Sequence, residues 1–129
     1  MFAKTMTTFD DIEAFRRTPN AEAFARAWIA ERKSNASSCD HLINLTIWSR
    51  SHPHQALGIV LNLIDQSKED GEMSEMVAMG PVTEIVEATD DTFTPLLQRT
   101  VSENPKFALY TQYNRLKSQD PKWLRLSKR

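Results

Sequence analysis

"HPHQALGIVLNLIDQ", residues 52–66, decides the fold, because it sets a proline directly ahead of the most apolar run of the chain. Proline fixes φ near the helical value and lacks the N–H that a first helical turn leaves unbonded anyway, so the opening position of a helix suits it best. Ala56, Ile59, Val60, Leu63 and Ile64 then recur at i, i+3, i+4, i+7 and i+8, the period of one helix face. Pro53 therefore opens a helix. Leu57 and Leu61 widen its stripe until only Gln55, Gly58, Asn62 and Asp65 are left for solvent, which predicts the central helix of the molecule.

The same punctuation extends outward. The other X-Pro pairs are Thr18-Pro19, Gly80-Pro81, Thr94-Pro95, Asn104-Pro105 and Asp120-Pro121. Thr18, Thr94, Asn104 and Asp120 carry side chains that accept from the free N–H groups of a helix start, and glycine is tolerated there. Upstream, helices are predicted over about 9–17, capped by Thr8, and over 19–33, with Phe24, Ala27 and Trp28 inward. A third, capped by Ser37 or Ser38, runs to about Ser49 with Leu42, Leu45 and Trp48 inward and Ile43 and Ile47 beside them. Downstream, Met73, Met76 and Val77 belong to a helix ended by Gly80, and Val82, Ile85 and Val86 to one begun by Pro81. Helices over about 92–103, from Pro105 and from Pro121 complete the chain. No segment alternates with period two. The expectation is an all-α fold of about seven to nine short helices, either an irregular orthogonal bundle or a HEAT-like stack of hairpins.

Composition bounds the class. A chain of 129 residues with 40% hydrophobic and 26% charged residues suits one globular domain, with residues 1–7 and 127–129 expected to be disordered. The single cysteine, Cys39, excludes an internal disulfide framework and fits a reducing compartment. "MFAKTMTTFDDIEAF" breaks any apolar run with threonines and acids, and Ala56 to Ile64 is about half the length a bilayer requires. A cytoplasmic protein without a membrane span is expected.

Four motifs, "ARAWIA" (Ala25 to Ala30), "PHQAL" (Pro53 to Leu57), "AMGPVTEIV" (Ala78 to Val86) and "NPKF" (Asn104 to Phe107), occur in an order that resembles a group of small bacterial helical proteins recorded only as a domain of unknown function. The resemblance covers roughly residues 20 to 115. It implies a helical fold and a bacterial or phage origin, and it transfers no site residue.

Candidate chemistry is sparse. Cys39, His41, His52 and His54 are of metal-ligand type, but their spacing matches no usual zinc arrangement, so no metal site and no cofactor is expected. Glu72, Glu75, Glu84 and Glu87 form i, i+3 pairs on successive helices. They are read as solvated faces rather than acid–base groups, and no catalytic residue is assigned.

Charge is segregated more sharply than the net value of −1 suggests. Between Glu69 and Gln98 lie eight acids (Glu69, Asp70, Glu72, Glu75, Glu84, Glu87, Asp90, Asp91) and no Lys or Arg, whereas from Arg115 onward there are six bases and only Asp120. Such a dipole selects complementary partners. Glu72, Glu75, Glu84, Glu87, Asp90 and Asp91 are the candidate partner-binding face. Trp123 with Lys122 and Arg125 is a candidate second interface, pinning the last helix or contacting a partner. Met73, Met76 and Met79 make a soft apolar strip, read as core before groove.

The functional expectation is a non-catalytic module that binds another protein with a basic surface, in the manner of an immunity or inhibitor protein; nucleic acid is not the expected partner. The alternatives are an enzyme or small-ligand protein using the acidic cluster, and a subunit that self-associates with its acidic block on the basic tail of the next copy.

Overall fold

A computed structural model describes residues 6–34, 39–115 and 121–126. The elements are α1 (Phe9–Arg16), α2 (Pro19–Ser34), α3 (Asp40–Ser51), α4 (Pro53–Ser67), α5 (Gly71–Val77), a π-helical turn (Ala78–Val82), α6 (Thr83–Ala88), a 3-10 turn (Asp91–Phe93), α7 (Thr94–Glu103), α8 (Pro105–Arg115) and α9 (Pro121–Leu126). This is an all-α bundle, as the sequence predicts.

Pro19, Pro53, Pro105 and Pro121 each open a helix, and Pro95 is the second residue of α7. The caps follow from side-chain chemistry. Thr8 and Asp11 form a reciprocal capping box at α1. The Thr18 hydroxyl accepts from the Ala21 N–H at 3.2 Å, and Asn104 Oδ1 accepts from the Phe107 N–H at 3.2 Å. At α3 the expected caps, Ser37 and Ser38, lie outside the described residues, and Cys39 makes no side-chain cap bond. Glu31 reaches over from α2, accepting from the His41 N–H at 3.1 Å and the Leu42 N–H at 3.4 Å. A carboxylate there also meets the positive end of the helix dipole.

Pro81 breaks the rule. Gly80 was expected to end one helix and Pro81 to begin another, yet the chain continues as one rod from α5 through the π turn into α6. In a regular α-helical turn the proline ring would press on the carbonyl four residues back; a widened turn relieves that clash. The turn is braced from outside, since the Ala78 carbonyl accepts from Asn114 Nδ2 of α8 at 2.7 Å and from the Thr83 hydroxyl at 3.2 Å.

All packing refers to α4, which touches α1, α2, α3, α5, α6 and α8. Its supposed wet face is buried too: Gln55 is 7% and Asn62 9% exposed, Gly58 is buried, and only Asp65 faces water. The cause is α1. It crosses α4 at Gly58, Asn62 Nδ2 donates to the Arg16 carbonyl at 2.8 Å, and Arg16 pairs with Asp65 at 2.7 Å. Because α1 also packs on α7, far along the chain, the helices surround a centre; in a stack of hairpins each repeat would touch only its neighbours. The HEAT-like alternative is therefore not the architecture.

One hydrophobic cluster runs from Met6 to Leu126. Met6 belongs to this core, and the Thr7 N–H donates to Asp11 Oδ2; residues 1–5 and 127–129 of the expected disordered ends lie outside the described residues. On α2 the inward face is Ala21, Phe24, Ala25 and Trp28, with Ala27 only half-buried; on α3, Leu45 is buried, Leu42 and Trp48 are half-buried, and Ile43 and Ile47 are exposed. Among the described residues no helix is long and apolar enough to cross a membrane.

Candidate functional site

The α5–α6 rod passes beside the α2 and α3 pair and leaves a cleft of about 510 Å³ between them. Trp28, Leu45 and Pro81 form a buried apolar floor, with Met76 half-buried among them. The α2–α3 wall presents Arg32, Leu42, Thr46 and Ser49 and, among the described residues, no acid. The opposite wall presents Glu72, Glu75 and Glu84, with Met79 between them 52% exposed. The methionine strip thus runs outward, from buried Met73 through Met76 to a solvent-facing Met79.

The electrostatics of the cleft are one-sided. Among the described residues, Glu72, Glu75 and Glu84 make no ion pair and no side-chain hydrogen bond. Arg32 faces them without a carboxylate partner; its guanidinium lies 6.0 Å from the Trp28 ring centre and 3.9 Å from Met76 Sδ. A smaller recess of about 260 Å³ shares Arg32, Glu72 and Met76 and is bordered by the Lys33 to Asp70 pair at 3.3 Å.

The rest of the candidate acidic face is used inside the molecule. Glu87 Oε2 accepts from the Trp123 indole N–H at 2.7 Å, and Asp91 pairs with Arg125 at 2.7 Å. Asp90 accepts from the Thr92 N–H at 3.0 Å; the Thr92 hydroxyl, followed by that N–H, holds its carboxyl below the usual range. Six acids read as one face are therefore two groups. Glu72, Glu75 and Glu84 share a cleft, while the other three are spent inside the molecule, Glu87 and Asp91 at the joint between α6 and α9 and Asp90 as the cap of the 3-10 turn.

The candidate second interface changes meaning for the same reason. Trp123 is 2% exposed, and Lys122 Nζ donates at 2.7 Å to both the Glu87 and Thr89 carbonyls at the end of α6. Arg125 adds its ion pair, and its carbonyl accepts from Gln98 Nε2 at 2.9 Å. Trp123, Lys122 and Arg125 latch α9 onto the body; a tryptophan this buried is no surface anchor. Of the two roles open to it in the sequence, pinning the last helix is the one observed.

The residues of metal-ligand type are dispersed. His41 bonds Glu31 and meets the edge of Phe24, His52 Nδ1 lies 2.9 Å from the Ser51 hydroxyl, and His54 stands edge-on to Phe93. Among the described residues no group of three His, Cys, Asp or Glu side chains is placed to hold a metal ion. Reading the sequence missed Arg32, Thr46 and Ser49, which carry no motif; the exposed end of the methionine strip was the one available signal for the cleft.

No protein-family model matches the chain, and neither a curated protein nor a solved structure does. The resemblance carried by the four sequence motifs adds no residue to this site.

Proposed function

We propose that this protein is a non-catalytic binding module whose cleft between α2–α3 and α5–α6 docks a basic segment of another protein. One observation carries the reading: Glu72, Glu75 and Glu84 line a cleft with an apolar floor and have no ion-pair or hydrogen-bond partner for their carboxylates among the described residues, while neighbouring Glu87 is bonded by the Trp123 indole and Asp91 by Arg125. Unpaired charge beside a desolvated floor favours a complementary partner and steers its approach. An inhibitor that covers the basic face of an effector protein is the form we favour. Head-to-tail self-association is less favoured, because Lys122 and Arg125 are already engaged within the chain.

The test is affinity capture from native cells with wild-type protein and with Glu72→Lys/Glu75→Lys/Glu84→Lys as baits. The expected result is a basic protein retained by the first and lost from the second, at unchanged helical content. Equal retention by both baits removes the cleft from the function.

A further inference from the structure

Resting on that reading of the cleft, we infer that the docked segment is a basic amphipathic α-helix of about three turns, with lysines or arginines along one flank and apolar side chains beneath. The argument begins with the asymmetry of the walls. All three acids stand on the α5–α6 side, the floor is apolar, and among the described residues lining the cleft the only charge on the α2–α3 side is the cation Arg32. A uniformly basic tail would set positive charge against Arg32 and bare methylenes against Trp28 and Leu45. A segment with its charge on one flank satisfies both walls.

Length and form follow from the rod itself. From Glu72 to Glu84, at about 1.5 Å of rise per residue, the acidic wall spans about 18 Å, which is about three helical turns. Glu72 and Glu75 lie one turn apart, so cations at i and i+3 or i+4 of a helix alongside face them in register. The groove is walled by helices and, among the described residues, offers no strand edge, so an extended segment would find no backbone partners. Met76 and Met79 supply a polarizable surface that adapts to different apolar side chains.

The probes are labelled synthetic peptides of about fourteen residues, followed by fluorescence anisotropy and circular dichroism. One arranges leucine and lysine with helical period, one has the same composition in strict alternation, one is lysine alone, and one is helical with glutamate replacing lysine. The helical Leu/Lys peptide is expected to bind roughly tenfold or more tightly than the other three, to gain helix on binding, and to weaken at least tenfold on Glu72→Lys/Glu75→Lys/Glu84→Lys. The milder Glu72→Gln/Glu75→Gln should weaken it less, and Glu103→Lys, away from the cleft, should leave it unchanged. If the alternating or lysine-only peptide binds as tightly and still depends on the three glutamates, the helical occupant is overturned while docking of cationic segments stands. If no peptide binds, if the Leu/Glu peptide binds equally, or if Glu103→Lys weakens binding as much as the cleft substitutions do, both fall.

Discussion

Gly58 is where the first helix meets the central one. A β-carbon there would come within 2.7 Å of Phe15 Cδ2 and 3.4 Å of the Ile12 carbonyl oxygen, so the missing side chain is what lets α1 lie flat on α4. Two effects compete in Gly58→Ala. Helix propensity favours alanine by about 1 kcal/mol, and overpacking a fitted contact costs about 1 to 3 kcal/mol. The contact should win, because the ring packs against the core and the Ile12 carbonyl beside it is backbone that cannot swing aside. Gly58→Ala is expected to lower stability by about 1 kcal/mol in urea denaturation. Gly71→Ala, whose added carbon meets nothing within 4 Å, should be neutral or mildly stabilising. The same contact explains why Gln55, Gly58 and Asn62 were misread as a wet face: hydropathy marks them as polar or small, but nothing in their types says that a second helix will lie over them and bond Asn62.

Among the elements, α9 depends most on others. Six residues cannot sustain a helix in water, so its form follows from docking. Trp123 supplies the buried area, and Lys122 places a cation on two carbonyls at the end of α6, where the helix dipole is negative. Trp123→Phe keeps much of the burial but removes the indole N–H from Glu87, at an expected cost of about 1 kcal/mol. Trp123→Ala should cost about 3 to 5 kcal/mol and expose the Lys122 and Arg125 bonds to trypsin, which limited proteolysis would show. Proline positions made most helix starts legible, since their chemistry is local. Pro81 was illegible because tolerance of a proline inside a helix depends on a widened turn and on Asn114 from α8, a contact spanning many residues. The part Glu31 plays at the start of α3 is illegible likewise, since Glu31 belongs to a different helix.

Across the whole molecule, the charge dipole seen along the chain is partly cancelled at the α9 joint and left open at the cleft. The sequence made the segregation visible; which acids were spent internally needed the fold. Titration carries a consistent sign. Partial burial pushes the Glu31 carboxyl up, but the His41 ring and the backbone donors of α3 prevail and hold it below the usual range. Asp70 is held low by the Met73 N–H and by Lys33. Burial lowers His54, only partly offset by Asp11. For a carboxylate lowered by folding, the stabilisation is present above the ordinary value near 4 and is lost as pH falls through the folded value. For a histidine lowered by folding, the neutral form is favoured, so stability is full above about 6.5 and falls as pH drops below it. Stability should therefore decline in two stages on acidification, and urea midpoints measured across pH in wild type and His54→Gln check this. The decline beginning near 6.5 should shrink in the variant, and the one below 4 should remain.

The seat of α1 also sets an order of assembly during synthesis. Phe9, Ile12 and Phe15 leave the ribosome well before Gly58 exists to receive them; α2, a lesser neighbour, follows directly, and α7 comes later still. Until the central helix emerges, that amphipathic segment lacks its main cover, and its apolar side is surface a chaperone can hold. The nascent chain must therefore close its first helix over its middle after the fact, as the clasp of a body already half built.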